Sequence, residues 1–143
     1  MNKKKLITLA ATAGPAVAKV VRDYGPQLMR YLESHPDMLN QVQRAVGRVA
    51  STKGSSEETL HARIAALREQ VRYLIASSDS HGEAATAKDF SRRLDGIEAS
   101  VRMLPVMTPK QRRKSQRRIA DALDQQAALI VERFIDERID DAR

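Results

Sequence analysis

The sequence predicts an all-α fold, an antiparallel three-helix coiled-coil-like bundle preceded by an N-terminal module of short, Pro-punctuated helices. Three observations carry this reading. Apolar residues recur at i, i+3, i+4 spacing along most of the chain, and no segment shows the period-2 alternation of a half-buried strand. Three capping-box patterns open three long periodic segments: Ser55 with Glu58, Ser80 with Glu83, and Thr108 with Gln111, the last with Pro109 at the first helical position. The apolar positions of the first two segments also mirror one another about a single turn.

In chain order, Pro15, Pro26 and Pro36 each sit where a first helical turn tolerates a missing N–H. Gly14 and Gly25 stand immediately before two of them, so residues 1–50 read as a run of short helices or one broken helix. Met38, Leu39, Val42, Val46 and Val49 give residues 36–50 one apolar face. Residues 51–55, with Lys53 and Gly54, read as a linker to a bundle over 56–143.

Helices are expected near 56–77, 83–104 and 108–141. Leu60, Ile64, Leu67, Val71 and Leu74 in the first, and Phe90, Leu94, Ile97, Val101 and Leu104 in the second, follow the four-three spacing of a coiled-coil seam. Pairing 60 with 104, 64 with 101, 67 with 97, 71 with 94 and 74 with 90 gives residue-number sums of 164 or 165 throughout. One hairpin centred near Gly82 therefore brings every layer into register. Two helices cannot enclose a full core, and the third is expected to close the bundle.

That third helix is longer than the first by an overhang of about 18 Å, at a rise of about 1.5 Å per residue. Ile119, Leu123, Ala127, Ile130 and Phe134 form its core stripe, while Ala128, Val131, Ile135 and Ile139 make a second stripe confined to the distal half. Left bare, this overhang would be an unusual apolar patch, so either the N-terminal helices or a second copy is expected to cover it. Val131, Ile135 and Ile139 are the candidate interaction surface.

The formal net charge of +7 favours anionic partners without choosing among them. It is polarised along the chain. Residues 1–55 carry +6 and 56–104 carry −1, whereas the third helix runs from +6 over 108–118 to −4 over 119–143. Lys110, Arg112, Arg113, Lys114, Arg117 and Arg118 are the densest cluster, and on a helical wheel all but Arg112 lie opposite the core stripe. Cations in the first turns oppose the helix macrodipole, as do acids such as Asp136 and Asp140 near the C-terminus. Lys110, Arg113, Lys114, Arg117 and Arg118 are thus candidates for anion or nucleic-acid binding. The dipolar charge of the helix also suits an antiparallel homodimer.

The composition excludes other chemistry. There is no Cys, so no disulfide, thiolate metal site or Cys nucleophile exists. Tyr24, Tyr31, Tyr73, Phe90 and Phe134 are too scattered to stack a row of unpaired bases. His35, His61 and His81 share no metal-ligand or general-base spacing, and no glycine-rich phosphate loop is present. No catalytic, cofactor-binding or metal residues, and no small-molecule substrate, are expected. Met29, Met38, Met103 and Met107 read as core filler.

The uncharged stretch 6–18, broken by Gly14 and Pro15, is shorter than the roughly 20 apolar residues of a spanning helix. With Lys3, Lys4 and Lys5 before it and Ala16, Val17 and Ala18 at its end, it also has the form of a secretory signal. Its apolar pattern nevertheless continues into Val20, Val21 and Tyr24 at helical spacing. The expected location is cytoplasmic, the alternative being export after cleavage near Ala18. The expected role is non-catalytic protein interaction or scaffolding, with self-association. The alternatives are sequence-independent nucleic-acid binding through 110–118, or accessory work at a membrane surface, with peripheral contact through Lys3 to Ile7.

Overall fold

The computed structural model describes residues 14–50 and 54–141, without the side chains of 38, 45, 48–50 and 138–141. Among these residues five α-helices follow in order: α1 (Pro15–Ser34), α2 (Pro36–Ala50), α3 (Glu57–Ala76), α4 (His81–Arg102) and α5 (Pro109–Asp141), with one 3-10 turn, Leu104–Val106, between α4 and α5. The protein is all-α, with no strand among the described residues. No described helix is long and apolar enough to cross a membrane.

The proline signals mark helix starts and one break. Pro15 opens α1 after Gly14, and Pro36 opens α2 after His35. Pro26 lies inside α1, where its ring would clash with the carbonyl four residues back. Gly25 resolves the conflict by leaving helical geometry at φ 35°, ψ −120°, a conformation that costs an L side chain heavily. α1 is therefore one broken helix. Its end is closed by the His35 N–H, which donates to the Leu32 carbonyl at 3.2 Å.

The three caps are present with shifts. α3 is capped by Ser56, one residue later than expected, whose hydroxyl accepts from the Thr59 N–H at 3.2 Å; the pattern of Ser55 with Glu58 is not used. Ser80 accepts from the Glu83 N–H, so α4 begins at His81, two residues before the expected start. It also ends early, because Pro105 cannot continue the helical hydrogen bonds and the chain tightens into the 3-10 turn. Thr108 and Gln111 make the full reciprocal box, each side chain bonding the other residue's backbone N–H.

α3 and α4 pack as an antiparallel hairpin. All ten seam residues are buried except Ile97, which is half-buried against the core. Ion pairs report the register independently: the Arg68 guanidinium lies 2.7 Å from Asp95 and 2.5 Å from Glu98. Burial works against the charge on Arg68, but these two carboxylates outweigh it and raise its pKa above the ordinary guanidinium value.

α5 touches all four of the other described helices. Its core stripe, Ile119, Leu123, Ala127, Ile130 and Phe134, is buried in the cluster that holds the hairpin seam. α1 runs alongside the distal half of α5 in the same direction, with Gly14 near Asp124 and the Tyr24 hydroxyl donating to Asp136. Asp124 lies on the wheel face of the second stripe. α2 returns against α5 and α3, and the Tyr73 ring, 5.6 Å from Phe134, reaches Gln41 through its hydroxyl.

Of the two covers open to the second stripe, the chain's own N-terminal helices supply it. Ala128, Val131 and Ile135 share one core with Val17, Val21 and Leu28; the Ile139 side chain lies outside the described residues. The proposed interaction surface at Val131 and Ile135 is thus occupied within one chain, and an antiparallel dimer through it would require α1 to leave. Val17, in the segment read as a cleavage site, is part of this core.

Three consequences are measurable by urea denaturation. Ile135→Ala, which empties a site 0% exposed beneath α1, is expected to cost about 2–5 kcal/mol. Gly25→Ala is expected to destabilise by about 1–3 kcal/mol through backbone strain. Gly96→Ala, mid-helix in α4 with open space around the added methyl, should instead stabilise by about 0.5–1 kcal/mol.

Candidate functional site

The first turns of α5 carry the basic cluster, and one of its members has a structural task. Arg112 turns inward: its Nε donates to the Leu104 carbonyl at 3.0 Å, and Nη2 donates to the carbonyls of Met107 at 3.2 Å and Pro105 at 3.4 Å. These carbonyls lie where α4 has ended and regular helical partners are missing. Arg112 thereby fastens the 3-10 turn to the start of α5.

The other five cations, Lys110, Arg113, Lys114, Arg117 and Arg118, are all exposed. Among the described residues none of them pairs with an acid. This differs from the hairpin, where every arginine has a carboxylate: Arg63 with Asp124, Arg68 with Asp95 and Glu98, Arg72 with Glu69, Arg92 and Arg93 with Asp89, and Arg102 with Glu98. The sequence explains the contrast. Acids stand three or four residues from the hairpin arginines, across the hairpin, or, for Arg63, on α5 at Asp124, whereas no acid occurs between Thr108 and Ala120. The stripe spans about 12 Å of helix at about 1.5 Å per residue.

Sequence reasoning missed what adjoins this stripe. Met103, expected as core filler, is 55% exposed and Val106 is 78% exposed, with exposed Pro105 between Leu104 and Val106. Leu104 points inward and is fully buried, and in a turn this tight its neighbours are forced outward. The signal available in the sequence was Pro105 inside a connection too short to fold back over itself. Of the other methionines, Met29 is buried, Met107 packs half-buried against the core, and the Met38 side chain lies outside the described residues.

The acidic end of α5 is engaged internally, with Asp136 accepting from Tyr24 and Glu137 buried 3.6 Å from Arg133. His35, His61 and His81 are exposed and stand on different helices or helix junctions. His35 stacks on Tyr31 with ring centroids 4.3 Å apart, and its Nδ1 donates to the Tyr31 carbonyl. Among the described residues no group of three or more His, Asp or Glu is placed to hold a metal ion. Lys3 to Ile7, the segment expected to touch membranes, lies outside the described residues.

A family model described as "Family of unknown function (DUF6474)" matches residues 45–137, well over half of the chain. The chain belongs to this family. Neither a curated protein nor a solved structure matches it. The DUF6474 segment takes in the end of α2, the whole hairpin, the basic stripe and both apolar stripes of α5 as far as Glu137. α1, which covers the second stripe, precedes that segment.

The two kinds of arginine in this DUF6474 helix should separate in thermal melts. Arg112→Ala removes three charge-assisted hydrogen bonds and is expected to cost about 1.5–3 kcal/mol, whereas Arg113→Ala should stay within about 0.5 kcal/mol of the parent.

Proposed function

We propose that this protein is a cytoplasmic, non-catalytic helical scaffold that docks an anionic partner on the stripe formed by Lys110, Arg113, Lys114, Arg117 and Arg118. In this reading residues 56–143 act as an antiparallel three-helix coiled-coil-like unit. The α1 and α2 helices buttress the far end and leave the proximal flank of α5 to the partner. The observation that carries it is the pairing contrast: each of the six hairpin arginines lies against a carboxylate, while five neighbouring cations of α5 stand exposed and crowd one another at i, i+3 and i, i+4 spacing. A cost of this kind, unrelieved by any acid among the described residues, is explained by an external anion.

The partner class is defined by charge: an acidic protein surface, including a second copy, a nucleic-acid backbone, or an anionic lipid surface. No base-reading element accompanies the stripe, so contact with nucleic acid would be sequence-independent, with a log–log salt slope of about −0.9 per duplex phosphate neutralised.

The test is salt elution of the full chain from immobilised heparin, used as a generic polyanion. The Lys110→Gln, Arg113→Gln, Lys114→Gln, Arg117→Gln, Arg118→Gln variant should elute at clearly lower salt with a circular dichroism melt no lower than the parent's, since these side chains pair with no acid in the fold and relief of their mutual repulsion favours the helix. Equal elution of the two proteins would remove the stripe as a binding surface.

A further inference from the structure

We infer that the anionic partner is the surface of a lipid bilayer, met by the flank of α5 together with the 3-10 turn, with Met103, Pro105 and Val106 entering the interface and the stripe cations reaching the headgroups. This rests on the stripe being an anion-docking surface and adds which anion it meets.

The deciding feature is the juxtaposition of two kinds of exposed group. Phosphates along a nucleic acid reward the cations alone and give no return for an apolar turn beside them. A bilayer surface rewards both: cations are drawn to anionic headgroups, and apolar side chains gain on entering the boundary between headgroups and acyl chains. Val106 and Met103 are among the most exposed large apolar side chains of the described residues, and both occupy the connection leading into the stripe. They are also held in place. Leu104 is buried beneath them, and the three carbonyls taken by Arg112 pin the turn to α5, so the apolar contact and the cations keep one spacing. Lys and Arg stems allow the charged groups to sit at headgroup level while the turn goes deeper.

The acids at this end set the orientation. Glu98, the last acid of α4, is held by Arg68 and Arg102. Glu57 and Glu58 open α3 at the same end of the hairpin. An upright molecule would press those two carboxylates against the anionic surface, so the protein lies on the flank of α5. With a small apolar contact and no long apolar segment, attachment is reversible and weakens with salt.

The absence of cysteine makes a direct test simple. The full chain carrying Val106→Cys, labelled with an environment-sensitive fluorophore, is mixed with vesicles of phosphatidylcholine alone or with 30 mol% phosphatidylglycerol, about the range of an anionic membrane leaflet. The inference expects a blue shift and intensity rise only with the anionic vesicles, reversed by salt. In parallel sedimentation, each Lys or Arg replaced by Gln in the stripe should lower partitioning about five-fold. Met103→Gln with Val106→Ser should lower it several-fold while heparin elution stays unchanged. Three results would overturn the inference. One is vesicle binding with no change at the position-106 probe, which places the contact elsewhere. Another is binding that ignores the Met103 and Val106 replacements. The third is duplex DNA binding without vesicle binding, which would return the stripe to a nucleic-acid partner and leave the proposed anion-docking role standing. Loss of the heparin difference as well would remove both readings.

Discussion

The architecture depends on one constraint: the distal half of α5 is apolar on two sides and must be covered twice. A helix with a single apolar stripe is satisfied by one layer of neighbours, as the proximal half of α5 is by the hairpin. Beyond Leu123 the second face begins at Ala128 and continues through Val131 and Ile135, all buried. The hairpin takes one side, and α1 with α2 takes the other. The broken form of α1 follows from the same need, because a straight helix from Pro15 would not meet the Gly25-Pro26 pair without a clash, and the kink sends Leu28, Met29 and Leu32 back into the core.

This division separates two kinds of charge work along one helix. In the distal half, Asp136 and Glu137 find internal partners in Tyr24 and Arg133. In the proximal half the cations face away from the hairpin, and Arg112 alone, on the apolar side of the wheel, is recruited to close the connection. The helix thus holds the molecule together with its C-terminal half and leaves its N-terminal flank uncommitted to the fold.

Much of this was legible in the sequence. The hairpin register followed from apolar spacing alone, because ten positions in two helices constrain one another, and the Arg68 ion pairs fall where that register requires. Both stripes of α5 followed from the wheel for the same reason. Local competition was harder to read: Ser55 and Ser56 both offer a capping hydroxyl, and the choice of Ser56 turns on Thr59, whose N–H and hydroxyl both bond it. The cover for the second stripe was not legible, since an apolar stripe specifies that a partner exists and says nothing of whether it comes from the same chain. The exposure of Met103 was not legible, because methionine at helical spacing reads as core filler, whereas the chain leaves α4 after Arg102 and it is Leu104 that turns inward.

The bond from Tyr24 to Asp136 spans 112 positions of sequence, and it has a meaning for the order of assembly. The hairpin closes over short separations and α5 adds to it directly, so those contacts form with little loss of chain entropy. α1 leaves synthesis first yet finds its seat last, once nearly the whole of α5 exists. Until then its apolar side, from Val17 to Leu32, has nothing of its own to rest on.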